Sequence, residues 1–466
     1  MITSLFEKIT ARLKSACSKD ELPFVVKPYL QLGDTADSLR VFWFSSYGKK
    51  HWMAQCRCSS GEPWTNLEIS AKKQAVAERK NVRKLTVSLP LALPSSSVPE
   101  YQLLLDGVPV FSATYKTPSA PGCSKVAVFG DFGDGEQAAP ALAAAVYEIN
   151  PELVLLAGDL VYDHGRISEY LNFFFPVLNA DAIQKSIGAP LLRSILTIAV
   201  AGNHDVGMPT QNDKFDTKAF QDLFGFFLFW QGANNGPRLK KKTLKAMIGT
   251  RKKANKLLSD FGKSFFRLTN YSFNWSDQHW IILDANKYAD WSLPELQEWL
   301  AQDLHAARGQ KWKFVLFHQP GFNSDYKYFR DQRMRVICPI LEAGGVDIVF
   351  SGHCHFYERH RPLYFKPDSD TALKDGTVPG QLTQDYLFDG VENTHPAGII
   401  YVVTGASGKL VGDGKNPNAE SLSVSTAVLI DTVHSFTELT FGENHLVLQQ
   451  LSSEGVVLDS VRIDKN

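Results

Sequence analysis

Apolar and polar positions divide the chain into two regimes. From Phe24 to about Pro118, short runs rich in β-branched and aromatic residues alternate with turns, and apolar positions never recur at helical spacing. Val25-Val26, Leu39 to Trp43, Trp52 to Gln55, Leu85 to Leu89 and Tyr101 to Leu105 are the strands this pattern predicts. Strands packed so closely in sequence imply an all-β sandwich, with Trp43, two positions from Val41, in its core. The run Pro-Ser-Ala-Pro-Gly at 118–122 marks where the pattern ends.

Beyond that boundary apolar strands alternate with helical stretches, the mark of an α/β layer structure. Val126 to Phe129, Leu153 to Leu156, Phe314 to Phe317 and Ile348 to Phe350 are continuous apolar runs, and Ile195 to Val200 is one broken only by Thr197, as expected of strands covered on both faces. Trp280 to Leu283 predicts another strand, and Leu293 to Leu304 a helix with Leu296, Trp299 and Leu300 toward the core. Tyr364 to Pro396 reads as a turn-rich surface loop; Ile399 to Val403, Leu446 to Leu451 and Val456 to Ile463 close the chain as strands. The expected division is therefore an N-terminal extension over 1–22, a β-sandwich over 23–120 and an α/β domain over 121–466, with an insertion at about 206–278.

A length of 466 residues suits two domains rather than one. Lys plus Arg and Asp plus Glu both number 49, so no global field attracts nucleic acid, and no nucleic-acid partner is expected. No run is long and apolar enough to span a bilayer, so no transmembrane segment is expected. Met1 to Leu22 lacks the continuous apolar segment of a signal peptide; Ile9, Leu13 and Ala16 fit one face of a short docked helix. The 6 cysteines make no disulfide framework, and Cys56 and Cys58 point to one face of a strand, where they cannot bridge. The expectation is a reducing, cytoplasmic setting, or a secreted one if a leader has been removed.

Chemistry enters where the buried strands end. Val126 to Phe129 runs into Gly130-Asp131-Phe132-Gly133; Leu153 to Leu156 into Gly158-Asp159-Leu160-Val161-Tyr162; Ile195 to Val200 into Gly202-Asn203-His204-Asp205. Phe314 to Phe317 delivers His318, and Ile348 to Phe350 delivers Gly352-His353-Cys354-His355. Each loop alone has an ordinary explanation, since a strand-end aspartate commonly caps a turn and a lone histidine is commonly a satisfied core residue. Their coincidence in one chain argues for a metal site. Asp159 can lend one oxygen to each of two cations about 3.5–4 Å apart. Tyr162 offers a hard phenolate, which only a strongly acidic cation such as ferric iron holds ionised near neutral pH. Cys354, alternating with the two histidines, is read as a bystander.

The order GDFG, GDLVY, GNHD, VLFH, GHCH resembles the calcineurin-like metallophosphoesterases, and within them the purple acid phosphatases. Gly133 stands where the wider superfamily has a histidine, and Tyr162 appears in the second motif, the exchange that marks the purple branch. Pro28-Tyr29-Leu30-Gln31 and Tyr357-Glu358-Arg359 extend the resemblance over nearly the whole chain after Leu22. It implies a four-layer α/β/β/α metallophosphoesterase sandwich preceded by a fibronectin type III-like domain.

Carried over by motif position, the resemblance implies a ferric site of Asp131, Asp159, Tyr162 and His355. A divalent site of Asp159, Asn203, His318 and His353 would hold zinc, manganese or iron(II). The implied activity is hydrolysis of phosphate monoesters of small phosphorylated substrates by a metal-bound hydroxide. A phosphodiesterase or nucleotide pyrophosphatase on the same centre is the alternative, and an inert binding module a more distant one. His204 is expected to bind the phosphoryl group or protonate the leaving alcohol, with Asp205 orienting its ring and Asn203 also near substrate. The family's additional histidines beyond the VLFH motif are absent from Asn323 to Tyr328; Tyr326, Lys327 or Tyr328 is expected to supply the missing donor. Finally, Arg238, Lys240, Lys241, Lys242, Lys245, Arg251, Lys252, Lys253 and Lys256 crowd the insertion. They read as a solvated basic helix, with recruitment of a polyanionic substrate the sharper alternative.

Overall fold

The computed structural model describes residues 23–33, 35, 38–46, 51–76, 79–94, 97–206, 225–240, 265–409 and 421–465. Most of the lysines of the basic insertion, from Lys241 to Lys256, lie outside the described residues, as does the N-terminal helix expected over 1–22.

The first part is all β. Two four-stranded antiparallel sheets are formed, one from Val26–Leu32, Ser38–Ser45, Arg79–Pro90 and Ser70–Val76, the other from Thr65–Leu67, Trp52–Arg57, Glu100–Leu105 and Val108–Thr114. Trp43 is fully buried between them beside Leu85 and Leu103. Thr65–Leu67, Ser70–Val76 and Val108–Thr114 are strands that the apolar pattern does not announce, because their residues are mainly polar or exposed.

The remainder is α/β. A six-stranded sheet carries the parallel strands Leu196–Ala199, Leu153–Leu156 and Lys125–Phe129, then the antiparallel strands Ser435–Phe441, His445–Ser452 and Val457–Asp464. A seven-stranded sheet runs Tyr271–Trp275, Gln278–Ile282, Trp312–Leu316, Ile348–Ser351, Ile400–Thr404, Tyr357–His360, Thr426–Ile430. Side chains of alternate parity separate the layers. Val126, Val128, Leu153 and Leu155 of one sheet share a buried cluster with Trp280, Phe314, Leu316 and Phe350 of the other. Their neighbours Ala127, Phe129, Val154 and Leu156, and on the second sheet Val315 and Val349, cluster instead with helix residues. Leu142 and Val146 come from helix Ala138–Glu148, Leu296 and Leu300 from helix Pro294–Ala306. The result is helix, sheet, sheet, helix.

The expected loop from Tyr364 to Pro396 is corrected in part: Leu363–Pro367 pairs with Gly380–Gln384 as a hairpin, and Phe365 enters the core. Polar spacing within each short strand hides it from the sequence pattern. The two sheets meet where Gly130 N donates to the Thr404 carbonyl at 3.0 Å. The carboxyl ends of the parallel strands consequently open onto one edge, where the loops bearing Asp131, Asp159, Asn203, His318 and His353 gather.

Candidate metal centre

The loops reach one another through their backbones. Asp131 N donates to Gly158 O at 2.9 Å, Phe132 N to Asp159 O at 3.0 Å, and Gly352 N to His318 O at 3.0 Å. Three of the candidate ligands leave ordinary backbone space to turn inward: φ is 60° at Asp131, 48° at Asp159 and 71° at His353. Non-glycine residues seldom adopt this left-handed region, and such conformations concentrate at functional sites. Two glycines make the approach possible. A Cβ on Gly202 would strike the Asp159 carboxylate, and one on Gly352 would lie 2.6 Å from Asp131 Oδ2.

Around Asp159, the ligand atoms of Asp159, His318 and His353 all lie within 4.8 Å of one another, and all three residues are buried. His318 Nε2 stands 3.1 Å from Asp159 Oδ2 and 3.2 Å from Asn203 Oδ1. Its other nitrogen, Nδ1, is 2.7 Å from the Ala157 carbonyl, which fixes the tautomer and leaves Nε2 to face the site. Around Asp131, the Tyr162 hydroxyl donates to Oδ1 at 2.9 Å, and His355 Nε2 lies 3.4 Å from that hydroxyl and 3.5 Å from the same Oδ1. Backbone donors steady both carboxylates: His204 N to Asp159 Oδ1 and His353 N to Asp131 Oδ2, each at 2.8 Å.

The protein alone leaves charges in tension here. Burial disfavours the Asp159 carboxylate, but His318 and His204 outweigh it and hold the group below its ordinary value. Burial likewise opposes the His318 cation, yet Asp159 carries the ring up to about 9. His353 is held well below its ordinary value by burial and then by the charge of His318. Burial, followed by Asp131 and Asp159, pushes the Tyr162 phenol far up. His353 Nε2 is buried without a hydrogen-bond partner. An unsatisfied imidazole nitrogen beside a carboxylate and a second imidazole is the donor set a cation would complete.

His204 differs from the expectation. Its ring is oriented by the Asp163 carbonyl, 2.7 Å from Nδ1, and not by Asp205. The Asp205 carboxylate turns inward, accepting from Gly202 N at 2.9 Å, Leu160 N at 3.1 Å and the Tyr170 hydroxyl at 2.9 Å. It therefore ties the two turns that carry candidate ligands together, and burial with the nearby Asp159 pushes it up to about 7. His204 Nε2 faces the site, 3.9 Å from Asp159 Oδ2. Of the residues expected near substrate, Tyr328 lays its ring on His353 with centroids 4.1 Å apart, while Tyr326 and Lys327 are exposed. Cys354 is buried in a small apolar cluster with Phe356 and Val403, against which Tyr328 packs.

Residues that the sequence did not mark as part of the site complete the surroundings. Tyr170 holds Asp205. Asp284 accepts from Asn286 and Tyr288, and Asn286 in turn links Ala201 O to Gln319, joining the Asn203 and His318 loops. Lys409 places its ammonium 4.6 Å from the ring centre of Tyr162. A signal for it exists in Gly405 to Lys409, a glycine-rich stretch directly after a strand.

The sequence model of the calcineurin-like phosphoesterases matches residues 124–357, the stretch that carries every one of these candidate ligands. The chain belongs to the calcineurin-like phosphoesterase family. Members of this family hold a binuclear metal centre. Curated relatives include an acid phosphatase of Aspergillus ficuum, 28% identical over 190 residues, covering 40% of this chain and 28% of the relative. Purple acid phosphatase 18 of Arabidopsis thaliana is 39% identical over 97 residues, 19% of this chain and 21% of the relative. These alignments span less than a third of either relative. In fold, the chain is similar to a purple acid phosphatase from yellow lupin (Lupinus luteus) seeds, with a TM-score of 0.63 at 19% identity over 94% of this chain and 74% of that one. Among the described residues no helix is long and apolar enough to cross a membrane.

Proposed function

We propose that the protein is a phosphomonoesterase of purple acid phosphatase type, acting on small phosphorylated substrates at a pair of metal ions. The observation that supports this most directly is the gathering of Asp131, Tyr162 and His355 on one side and Asn203, His318 and His353 on the other, with Asp159 in contact with the second group and a partner of the first through its loop. Anionic oxygens from Asp131, Asp159 and Tyr162, with His355, suit iron(III). Asp159, Asn203, His318 and His353 suit zinc, manganese or iron(II). When bound, such a pair supplies Lewis-acid polarisation of the phosphoryl group and the acidity that makes water a nucleophile near neutral pH.

The chain's own side chains do the rest. His204 donates from Nδ1 to the Asp163 carbonyl and turns Nε2 toward the space beside Asp159; as the imidazolium it can deliver the Nε2 proton to the departing alcohol oxygen. Asp205 keeps the Asn203 and Asp159 turns in register, so that His204 and Asp159 face the same space. Tyr328, lying on His353, excludes water from that side of the pocket.

Purified protein should hydrolyse 4-nitrophenyl phosphate in proportion to its metal content, and Asp159→Asn should lose both metal and turnover. Faster cleavage of bis(4-nitrophenyl) phosphate than of the monoester would replace this reading with a phosphodiesterase. Metal content below one ion per chain with no turnover of either would leave an inert binding module.

A further inference from the structure

Lys409 lies in the loop that leaves strand Ile400–Thr404, and that loop is fastened to the Asp131 turn. The N–H groups of Gly408 and Lys409 both donate to the Asp131 carbonyl, at 3.1 and 2.9 Å, and the Ser407 hydroxyl donates to the Gly130 carbonyl. Gly405 comes so near that a Cβ there would lie 2.7 Å from Asp131 Oδ2. The backbone of Lys409 is thus fixed relative to a candidate ligand, while its side chain is only half-buried. Its ammonium stands 4.6 Å from the centre of the Tyr162 ring, whose hydroxyl donates to Asp131.

Among the described residues no carboxylate lies in ion-pair range of that ammonium; Asp134 senses its charge from farther away. Most lysines in such a position would be paired or fully solvated. A cation with an anchored backbone, an aromatic ring beneath it and no salt bridge among the described residues is suited to an anion that arrives and leaves. Lys327 repeats the arrangement on the other side. Its Nζ lies 4.8 Å from the ring centre of Tyr328, and that ring packs on His353. Each half of the site therefore has an aromatic ring against a candidate ligand and a lysine over the ring.

We propose that Lys409 is a specificity residue of this site, pairing with the second negative charge of a terminal phosphoryl group so that dianionic monoesters are favoured over monoanionic diesters. The inference rests on the phosphomonoesterase reading above. A phosphate monoester carries about −1.5 to −2 charges at neutral pH, whereas a diester can carry only one. A cation that touches the non-bridging oxygens gains from the difference, and a charge-assisted hydrogen bond is strong enough to set a preference.

The test uses the metal-loaded full chain with Lys409→Met and Lys409→Arg. Equilibrium binding of inorganic phosphate should weaken roughly tenfold or more in Lys409→Met and stay near wild type in Lys409→Arg. For 4-nitrophenyl phosphate, kcat/KM should fall by a similar factor, chiefly through KM, while bis(4-nitrophenyl) phosphate changes by less than about threefold. Equal losses on both esters, or an unaltered phosphate affinity, would overturn the proposal; Lys409→Gln takes the place of Lys409→Met if the latter does not reach the wild-type thermal midpoint. If the wild type cleaves neither ester, the phosphomonoesterase reading fails and the preference for monoesters falls with it, an outcome distinct from a cleaving wild type whose Lys409→Met variant binds phosphate unchanged.

Discussion

His204 meets the pocket with one nitrogen only, since the other is committed to the Asp163 carbonyl. If His204 is the proton donor proposed above, it matters most when the leaving group is a poor one. His204→Ala should therefore lower kcat for an alkyl phosphate by ~10²-fold or more, and for 4-nitrophenyl phosphate by much less. Parallel turnover series on the two esters would check it; equal effects would make His204 a binding group instead. Gly202 is as exacting a position, because any Cβ there strikes the Asp159 carboxylate. Gly202→Ala should yield a folded protein with metal content well under that of wild type, measurable by elemental analysis. If the Asp131 side holds iron(III) as proposed above, Tyr162→Phe should abolish the visible absorption of the metal-loaded protein, because the proposed phenolate donor is gone.

Above single residues, the loop from Phe322 to Tyr328 is held by a buried carboxylate on a neighbouring strand. Glu358, on Tyr357–His360, accepts from Ser324 N at 2.9 Å, from the Ser324 hydroxyl and from the Thr426 hydroxyl. That anchoring keeps Tyr328 on His353. Glu358→Ala strands these buried donors and should cost about 3 kcal/mol of stability, read by denaturant unfolding, with KM rising more than kcat falls. Nothing in the sequence links Glu358 to Ser324 and Thr426, which are remote along the chain and ordinary in type. The strand ends were legible for the opposite reason: an unbroken apolar run followed by glycine and an Asp, Asn or His is a local signal, and the parallel sheet order then brings those ends to one edge. Asp205 shows where local reasoning misleads. Adjacent to His204 in sequence, it spends its carboxylate on Gly202, Leu160 and Tyr170 instead. Strands such as Ser70–Val76 and Gly380–Gln384 were hidden because their side chains are mostly solvent-facing, so no apolar alternation marks them.

At the scale of the molecule, the two sheets of the α/β part are pinned near their far strands by Asp459. From Val457–Asp464 of one sheet it accepts from Tyr357 at 2.7 Å and from Arg359 Nε at 2.6 Å, both on the other sheet. Burial would raise this carboxyl, but its bonds with Arg359 dominate and hold it below the ordinary value. A depressed folded-state pKa contributes stability that is complete above the unfolded value near 4 and is lost as the pH falls through the folded value. Asp459→Asn should thus be destabilised relative to wild type at neutral pH, and the gap in thermal midpoint should close progressively below about pH 4. A gap that persisted unchanged in acid would show that packing, not charge, carries the contact.

The N-terminal sandwich meets the α/β part through several bonds: the Tyr29 hydroxyl donates to Phe229 O, Lys84 Nζ to Leu228 O, Tyr101 to Arg193 O, and Leu30 N to Leu192 O. Tyr29 and Phe44 also share one buried cluster with Phe175 and Phe229. At this contact the two parts share buried side chains. Calorimetry should accordingly record a single melting event for the whole chain, and a truncated protein lacking the first hundred or so residues should clump on expression, its freshly bared phenylalanines seeking one another.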